Sequence, residues 1–226
     1  MIATVHFADV GTRKTLSALR IRPDGRVDGL RFGTTAFAAD IGGAFIPKLT
    51  VSRLAFVGFW DDDSALETFQ NTHPLAEILA DGWQVRLEPI RATGTWPGLP
   101  DIVASDGPDT QSPAAVLTLG RLRNSQALRF RRFSMIAERH AKSATGLIWA
   151  TAIARPPLVA TFSLWESAAD LREYAYAAGG HTQVLEADRA QPFHHHSAFV
   201  RFRPTKSIGH LTGPNPLAED WVNGSR

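Results

Sequence analysis

The chain has 226 residues, 44% hydrophobic and 20% charged, which suits an ordinary globular protein of one large domain or two of about 110 residues each. Its 24 Lys and Arg nearly cancel 22 Asp and Glu, so the net charge of +2 gives no argument for nucleic acid as a partner. There is no cysteine, which removes disulfides, zinc–thiolate sites, Fe–S clusters and both thiolate-ligated and covalently attached haem; any metal must be held by His, carboxylate, Tyr or Met.

The first residues, Met1 to Ala8, lack the basic region and long apolar core of a signal peptide, and no run reaches the length of a membrane span. A cytoplasmic protein is therefore expected. Ile2 to Val10 reads as a first strand and Thr12 to Leu19 as a helix ended by Pro23-Asp24-Gly25. Val27 to Phe32 and Ala44 to Ile46 are short apolar pieces between glycines. From Arg53 the pattern sharpens: Leu54 to Trp60 is a strand, Asp61 to Ser64 supplies an N-cap, and a helix follows that breaks at Asn71-Thr-His-Pro74 and resumes over Leu75 to Ala80. Trp83 to Ile90 is the next strand.

Thr93 to Pro113 is rich in proline and glycine and reads as a linker. Beyond it the order repeats. Ala115 to Leu122 is a strand, Ser125 to Lys142 a helix, Gly146 to Ala154 and Leu158 to Trp165 strands, and the helical region from Ser167 is interrupted at Gly179-Gly180 before running to about Ala190. Ala198 to Arg203 closes as a strand. Each half is βαββαβ, the ferredoxin-like order, and Leu54–Trp60 can be laid over Leu158–Trp165 with His73 beside His181. The expected fold is α+β: two ferredoxin-like halves, 1–98 and 114–204, joined by a linker at 99–113, with the two sheets packed face to face as a dimeric α+β barrel within one chain and a tail over 205–226.

Several candidate sites present themselves. Adjacent residues of an extended segment point to opposite faces, so His194-His195-His196 cannot all ligate one ion, and a solvated loop before the last strand is expected there. His140 is expected to be exposed on a helix end, and His73 to serve a cap or structural role. His181 has stronger surroundings. Two glycines precede it and let the backbone approach something flat, while Val184 and Leu185 follow on the next turn; this suits a ligand for a planar metal cofactor, and it equally fits a helix end with a surface histidine. Arg129-Phe-Arg-Arg132 is either a solvated helix face or a carboxylate-pairing cluster. No G-x-G-x-x-G, Walker loop, G-x-S-x-G or H-E-x-x-H occurs.

Thr161-Phe-Ser-Leu-Trp165, Gly179-Gly-His181 and Val200-Arg-Phe-Arg203, with Gly29-Leu-Arg-Phe-Gly33, Phe45-Ile-Pro47, Phe59-Trp60, Trp83 to Pro89 and Gly94-Thr-Trp-Pro-Gly98, resemble the spheroidene monooxygenase family, over nearly the whole chain to about Pro204. The resemblance implies a haem-containing oxygenase related to the dimeric α+β barrels, with non-covalent haem b and a proximal ligand from the last helical region, where His181 is the one histidine. It would place Gly179, Gly180 and Leu185 against the cofactor and Arg129 and Arg132 on its propionates. Distal candidates are Thr161, Ser163 and Trp165, which share a face by alternation, or Trp149 and Thr151 on the neighbouring strand. Tyr174 and Tyr176 are rival ligands. The expected function is a haem-dependent monooxygenase of a hydrophobic organic substrate, its electron donor unspecified and a homodimer allowed. The alternatives are a cofactor-free monooxygenase of the same barrel type, a haem dehydratase, and a non-enzymatic haem-binding protein.

Overall fold

The computed structural model describes residues 1–23, 27–42, 49–97, 99, 101–102, 111–176, 180–210 and 215–217, without the side chains of residues 49, 180 and 181. The first half runs β1 (Ile2–Asp9), α1 (Thr12–Ala18), β2 (Leu30–Asp40), β3 (Leu49–Trp60), α2 (Asp63–Thr72), α3 (Pro74–Leu79) and β4 (Trp83–Thr95). The second runs β5 (Ala114–Leu122), a single 3-10 turn (Asn124–Gln126), α4 (Ala127–Lys142), β6 (Leu147–Arg155), β7 (Leu158–Trp165), α5 (Ala168–Tyr176), α6 (Gly180–Ala190) and β8 (His194–Ile208).

Every strand pair is antiparallel, and the strands close into one barrel in the order β1-β3-β2-β6-β7-β5-β8-β4. The inner faces of the two ferredoxin-like sheets pack on one another across the lumen, as expected of a dimeric α+β barrel within one chain. The sheets are also joined at their edges, β2 on β6 and β4 on β8, so the four outer strands satisfy one another's backbone groups. Period-two alternation turns Val5 and Phe7, Val57 and Phe59, Leu117 and Leu119, Phe162 and Leu164, and Val200 and Phe202 into the lumen, where all are buried. Phe7, Trp83, Trp149 and Phe162 fill part of the lumen as one aromatic cluster, with ring centroids 5.1–6.4 Å apart. The lumen is thus a packed core, and space for a ligand has to be sought outside it.

Three expectations change. The second strand is longer than Val27–Phe32: β2 continues to Asp40 because its pairing with β3 and β6, more than its own pattern, holds it extended; Ala44–Ile46 lies outside the described residues. The triple histidine opens β8 instead of forming a loop, since Leu122 pairs with His194 across the ladder. The expected tail starts too early. β8 runs to Ile208, and Asn215 Oδ1 accepts from Trp83 Nε1 (3.0 Å) and from the Leu217 N–H (3.0 Å), which seats Leu217 in the barrel core with 1% of its surface exposed. Gly25, Gly43, Phe45 to Pro47, Gly98, most of the expected linker and 218–226 lie outside the described residues.

Candidate functional site

The two halves differ on the faces that meet the helices. In the first, the strands present Leu54, Phe56 and Trp60, and the helices answer with Leu66, Phe69, Leu75 and Leu79, all buried. Phe69 stacks on Phe56 (5.4 Å) and lies 4.9 Å from Trp60, so this layer is solid. Asp62 caps α2 by accepting from the Ala65 N–H at 2.9 Å. His73 caps α3: its Nδ1 accepts from the Leu75 N–H at 3.1 Å and its ring lies on Phe69, which is the structural role expected of it.

His6 also belongs to this layer. Its ring meets Phe56 edge-on at 5.6 Å, its Nε2 is buried without a partner among the described residues, and burial pushes its pKa down to about 4. Between its ordinary value of 6.5 and about 4, the unfolded chain binds a proton that the folded chain refuses, so stability is full above that window and falls as the pH drops through it. The loss reaches ~3 kcal/mol at 1.36 kcal/mol per unit. Urea midpoints of the wild type and His6→Phe are expected to converge at pH 7 and to separate at pH 4.5, the variant being the more acid-resistant; parallel curves would refute this.

The second half has the same frame with the large rings removed. Trp165 stands where Trp60 does, at the end of its strand, and Tyr174 lies 4.9 Å from Trp165 as Phe69 does from Trp60. Four residues before the tryptophan, however, Phe56 is replaced by Thr161. Cross-strand register sets Phe199, Thr118, Thr161 and Ala152 in one row of the outward face, and Arg201, Val116, Ser163 and Ala150 in the next. Apart from Phe199 and Arg201, this floor is built of small side chains. Thr161 is exposed although β7 is hydrogen-bonded on both sides. Above the floor, α4 has no buried residue in sixteen; it packs along α6, and its Phe130 meets His194 at the start of β8. None of Thr182 to Ala190 on α6 is buried either. The sheet–helix layer of the second half is therefore less filled than that of the first, with an exposed threonine where the first half has a buried phenylalanine; the space above this floor is termed the hollow.

The expected site residues distribute around it as follows. Thr161 and Ser163 lie on the floor. Trp165 shares their face but is buried under α5 with Ala114, Ala168 and Leu171, its Nε1 donating to Ser163 Oγ at 3.0 Å, so it is a wall and not a distal donor. Trp149 and Thr151 point the other way: Trp149 packs on Phe7 in the lumen, and Thr151 Oγ1 donates to the Ala39 carbonyl at 2.9 Å. Leu185 is half-buried on α6. Gly180 and His181 open that helix, with His181 in its first turn, whereas His73 stands outside its helix as a cap; the two histidines are not equivalent. Ala177, Ala178 and Gly179 lie outside the described residues.

Arg129 is committed elsewhere. Its Nη1 donates to the Gln191 carbonyl (2.7 Å) and its Nη2 to the Ala187 carbonyl (2.6 Å), and the guanidinium lies 4.4 Å from the Phe193 ring centre. It closes the C-terminal end of α6, where carbonyls lack helical partners, and is spent as a carboxylate clamp. Arg132 is exposed. His140 is not the exposed residue expected: its Nδ1 is excluded from solvent and its ring faces Tyr174 at 5.2 Å. Tyr174 is packed, with burial pushing its phenol up to about 12, and Tyr176 is 81% exposed. His194 packs between Phe130 and Phe193 while His195 and His196 are exposed.

No family model matches the chain. Among curated proteins it is similar to the spheroidene monooxygenase of Rubrivivax gelatinosus, 30% identical over 183 residues that cover 76% of this chain and 70% of that one. The chain belongs to the spheroidene monooxygenase family. It is 27% identical to the Rhodobacter capsulatus spheroidene monooxygenase, covering 78% of this chain and 77% of that one, and 24% identical to that of Cereibacter sphaeroides, of which it spans 59%. As a spheroidene monooxygenase relative the chain is an enzyme of monooxygenase type. Among solved structures, an aldoxime dehydratase crystallised with butyraldoxime shares the fold, with a TM-score of 0.54 at 9% identity over 90% of this chain and 79% of that one. Among the described residues no helix is long and apolar enough to cross a membrane.

Proposed function

We propose that this member of the family is a haem-dependent monooxygenase acting on a hydrophobic organic substrate, with non-covalent haem b held in the hollow of the second half and His181 as its axial ligand. The observation that carries the reading is the contrast between halves: one sheet–helix layer is filled by Phe56 and Phe69, while its counterpart presents Thr161 and small neighbours under α4, which buries no residue, and α6, none of whose residues 182–190 is buried. A floor of Ala, Thr, Ser and Val leaves room for a porphyrin face, and Ile136 on α4 with Val184 and Leu185 on α6 are half-exposed apolar side chains of the helices above it.

Bound iron would supply the oxygen-activating chemistry; the chain's part is to hold and shape its surroundings. His181, in the first turn of α6, would donate an imidazole nitrogen from the helix side. Thr161 and Ser163 would line the sheet side of the site, where their hydroxyls can donate to or accept from a polar atom; Ser163 already accepts from Trp165 Nε1, which orients it. The apolar flanks would exclude water and favour a greasy substrate.

Titrating the purified protein with haemin is the direct test, expected to give a sharp, saturable Soret band. Oxygen uptake with an electron-rich phenol in protein that takes up no haemin would replace the reading with a cofactor-free monooxygenase.

A further inference from the structure

Arg201 was not singled out by its sequence. On β8 it alternates with Val200 and Phe202, which face the lumen, so its own side chain lies on the floor of the hollow beside Val116 and Ser163. Directly across the β4–β8 ladder stands Arg91, a second cation in the register position where like charges repel. Arg172 of α5 is close enough to act on Arg201 electrostatically, as is the phenol of Tyr176, the last residue of α5. Arg201 Nε is buried and makes no hydrogen bond among the described residues, and no carboxylate there pairs with the guanidinium. Burial first, then Arg172 and Arg91, press it below the ordinary arginine range, with Tyr176 opposing. A half-buried guanidinium whose Nε–H has lost water and gained no acceptor is destabilising unless a ligand supplies one.

We infer that Arg201, flanked by Arg91 and Arg172, is a carboxylate-binding site at the rim of the hollow and takes a propionate of the bound porphyrin. This rests on the haem reading above and assigns the anchoring role to these arginines instead of Arg129 and Arg132. A planar fork with an unmet Nε–H matches a carboxylate in bidentate fashion, and two neighbouring cations strengthen the attraction in a partly desolvated place.

The test compares haemin with its dimethyl ester, which keeps the ring and iron and removes both negative charges. Wild-type protein is expected to bind haemin about ten- to a hundredfold more tightly than the ester, by Soret titration. In Arg201→Gln that preference should collapse toward one, with affinity for the ester unchanged, and Arg201→Lys should restore part of it. Arg172→Gln, at an exposed helical position that folding tolerates, should lower the preference by a smaller factor. Should the wild type bind both forms equally while formate shifts its Soret band and leaves that of Arg201→Gln unmoved, the site takes a carboxylate from a separate molecule and the propionate assignment is overturned. Equal preference in wild type and Arg201→Gln, with no formate effect, overturns the site altogether. If haemin does not bind wild type at all, the haem reading falls by itself. The arginines are then judged by benzoate: a rise in Tm confined to proteins that keep Arg201 sustains a carboxylate site, and an equal response removes it.

Discussion

His181→Ala is expected to lose the Soret signature of an imidazole-ligated haem and to weaken haemin binding by more than about tenfold, equivalent to ~1.4 kcal/mol. The variant removes a side chain near the start of α6, where no described residue is buried, so its Tm should stay within a degree or two of wild type. Added imidazole should restore much of the spectrum, because a free ligand can enter the space the side chain leaves. A wild-type spectrum in the variant would transfer the role to another group, His140 on the same helical layer being the first to replace, and would leave the hollow without its assigned donor.

Thr161→Trp is expected to have an effect of similar size by a different route. At this position the first half carries Phe56, which fills its layer together with Phe69. Placing a large ring on the equivalent, exposed position of β7 should close the hollow. Haemin affinity is expected to fall by about ten- to a hundredfold, corresponding to ~1–3 kcal/mol of overpacking if the porphyrin must displace the indole. The apo-protein, in contrast, should melt no lower than wild type, since tryptophan suits a strand and gains apolar contact with α4 or α6. Reduced binding together with a lower Tm would mean the substitution had damaged the barrel, and the matched variant Thr161→Ser then decides: full haem uptake with wild-type Tm is required of it.

Much of this architecture was legible before any coordinates. The apolar runs Leu54–Trp60 and Leu158–Trp165 and the acidic cap before α2 all mark elements that form where expected, because local pattern and tertiary demand agree there. β2 was only partly visible: Gly33 to Ala39 offers alanines and threonines without a clear apolar period, and its extension depends on two neighbours supplied from elsewhere in the chain. His194 was misread because three identical polar residues look like a loop, whereas the first of them packs on Phe130 and Phe193 over the bare backbone of Gly120.

The candidate site shows the same division. Alternation placed Thr161 and Ser163 on one face correctly, yet could not tell the lumen from the helix side and so admitted Trp149, which points inward. Arg201 was within reach of the same reasoning, since Ala198, Val200 and Phe202 form an apolar set that leaves Phe199 and Arg201 on the other face. What no pattern could disclose is that Thr161 remains exposed, which depends on α4 and α6 leaving it uncovered.

Closure of the ring by two unlike halves of one polypeptide has a numerical consequence. A barrel assembled from two copies of a shorter chain repeats each flank, so any cleft it has on one side recurs on the other. Here one flank is filled by Phe56 and Phe69, and the other is the one proposed to receive a guest. On the haem reading, saturation is therefore expected at a single equivalent per chain, however many chains associate.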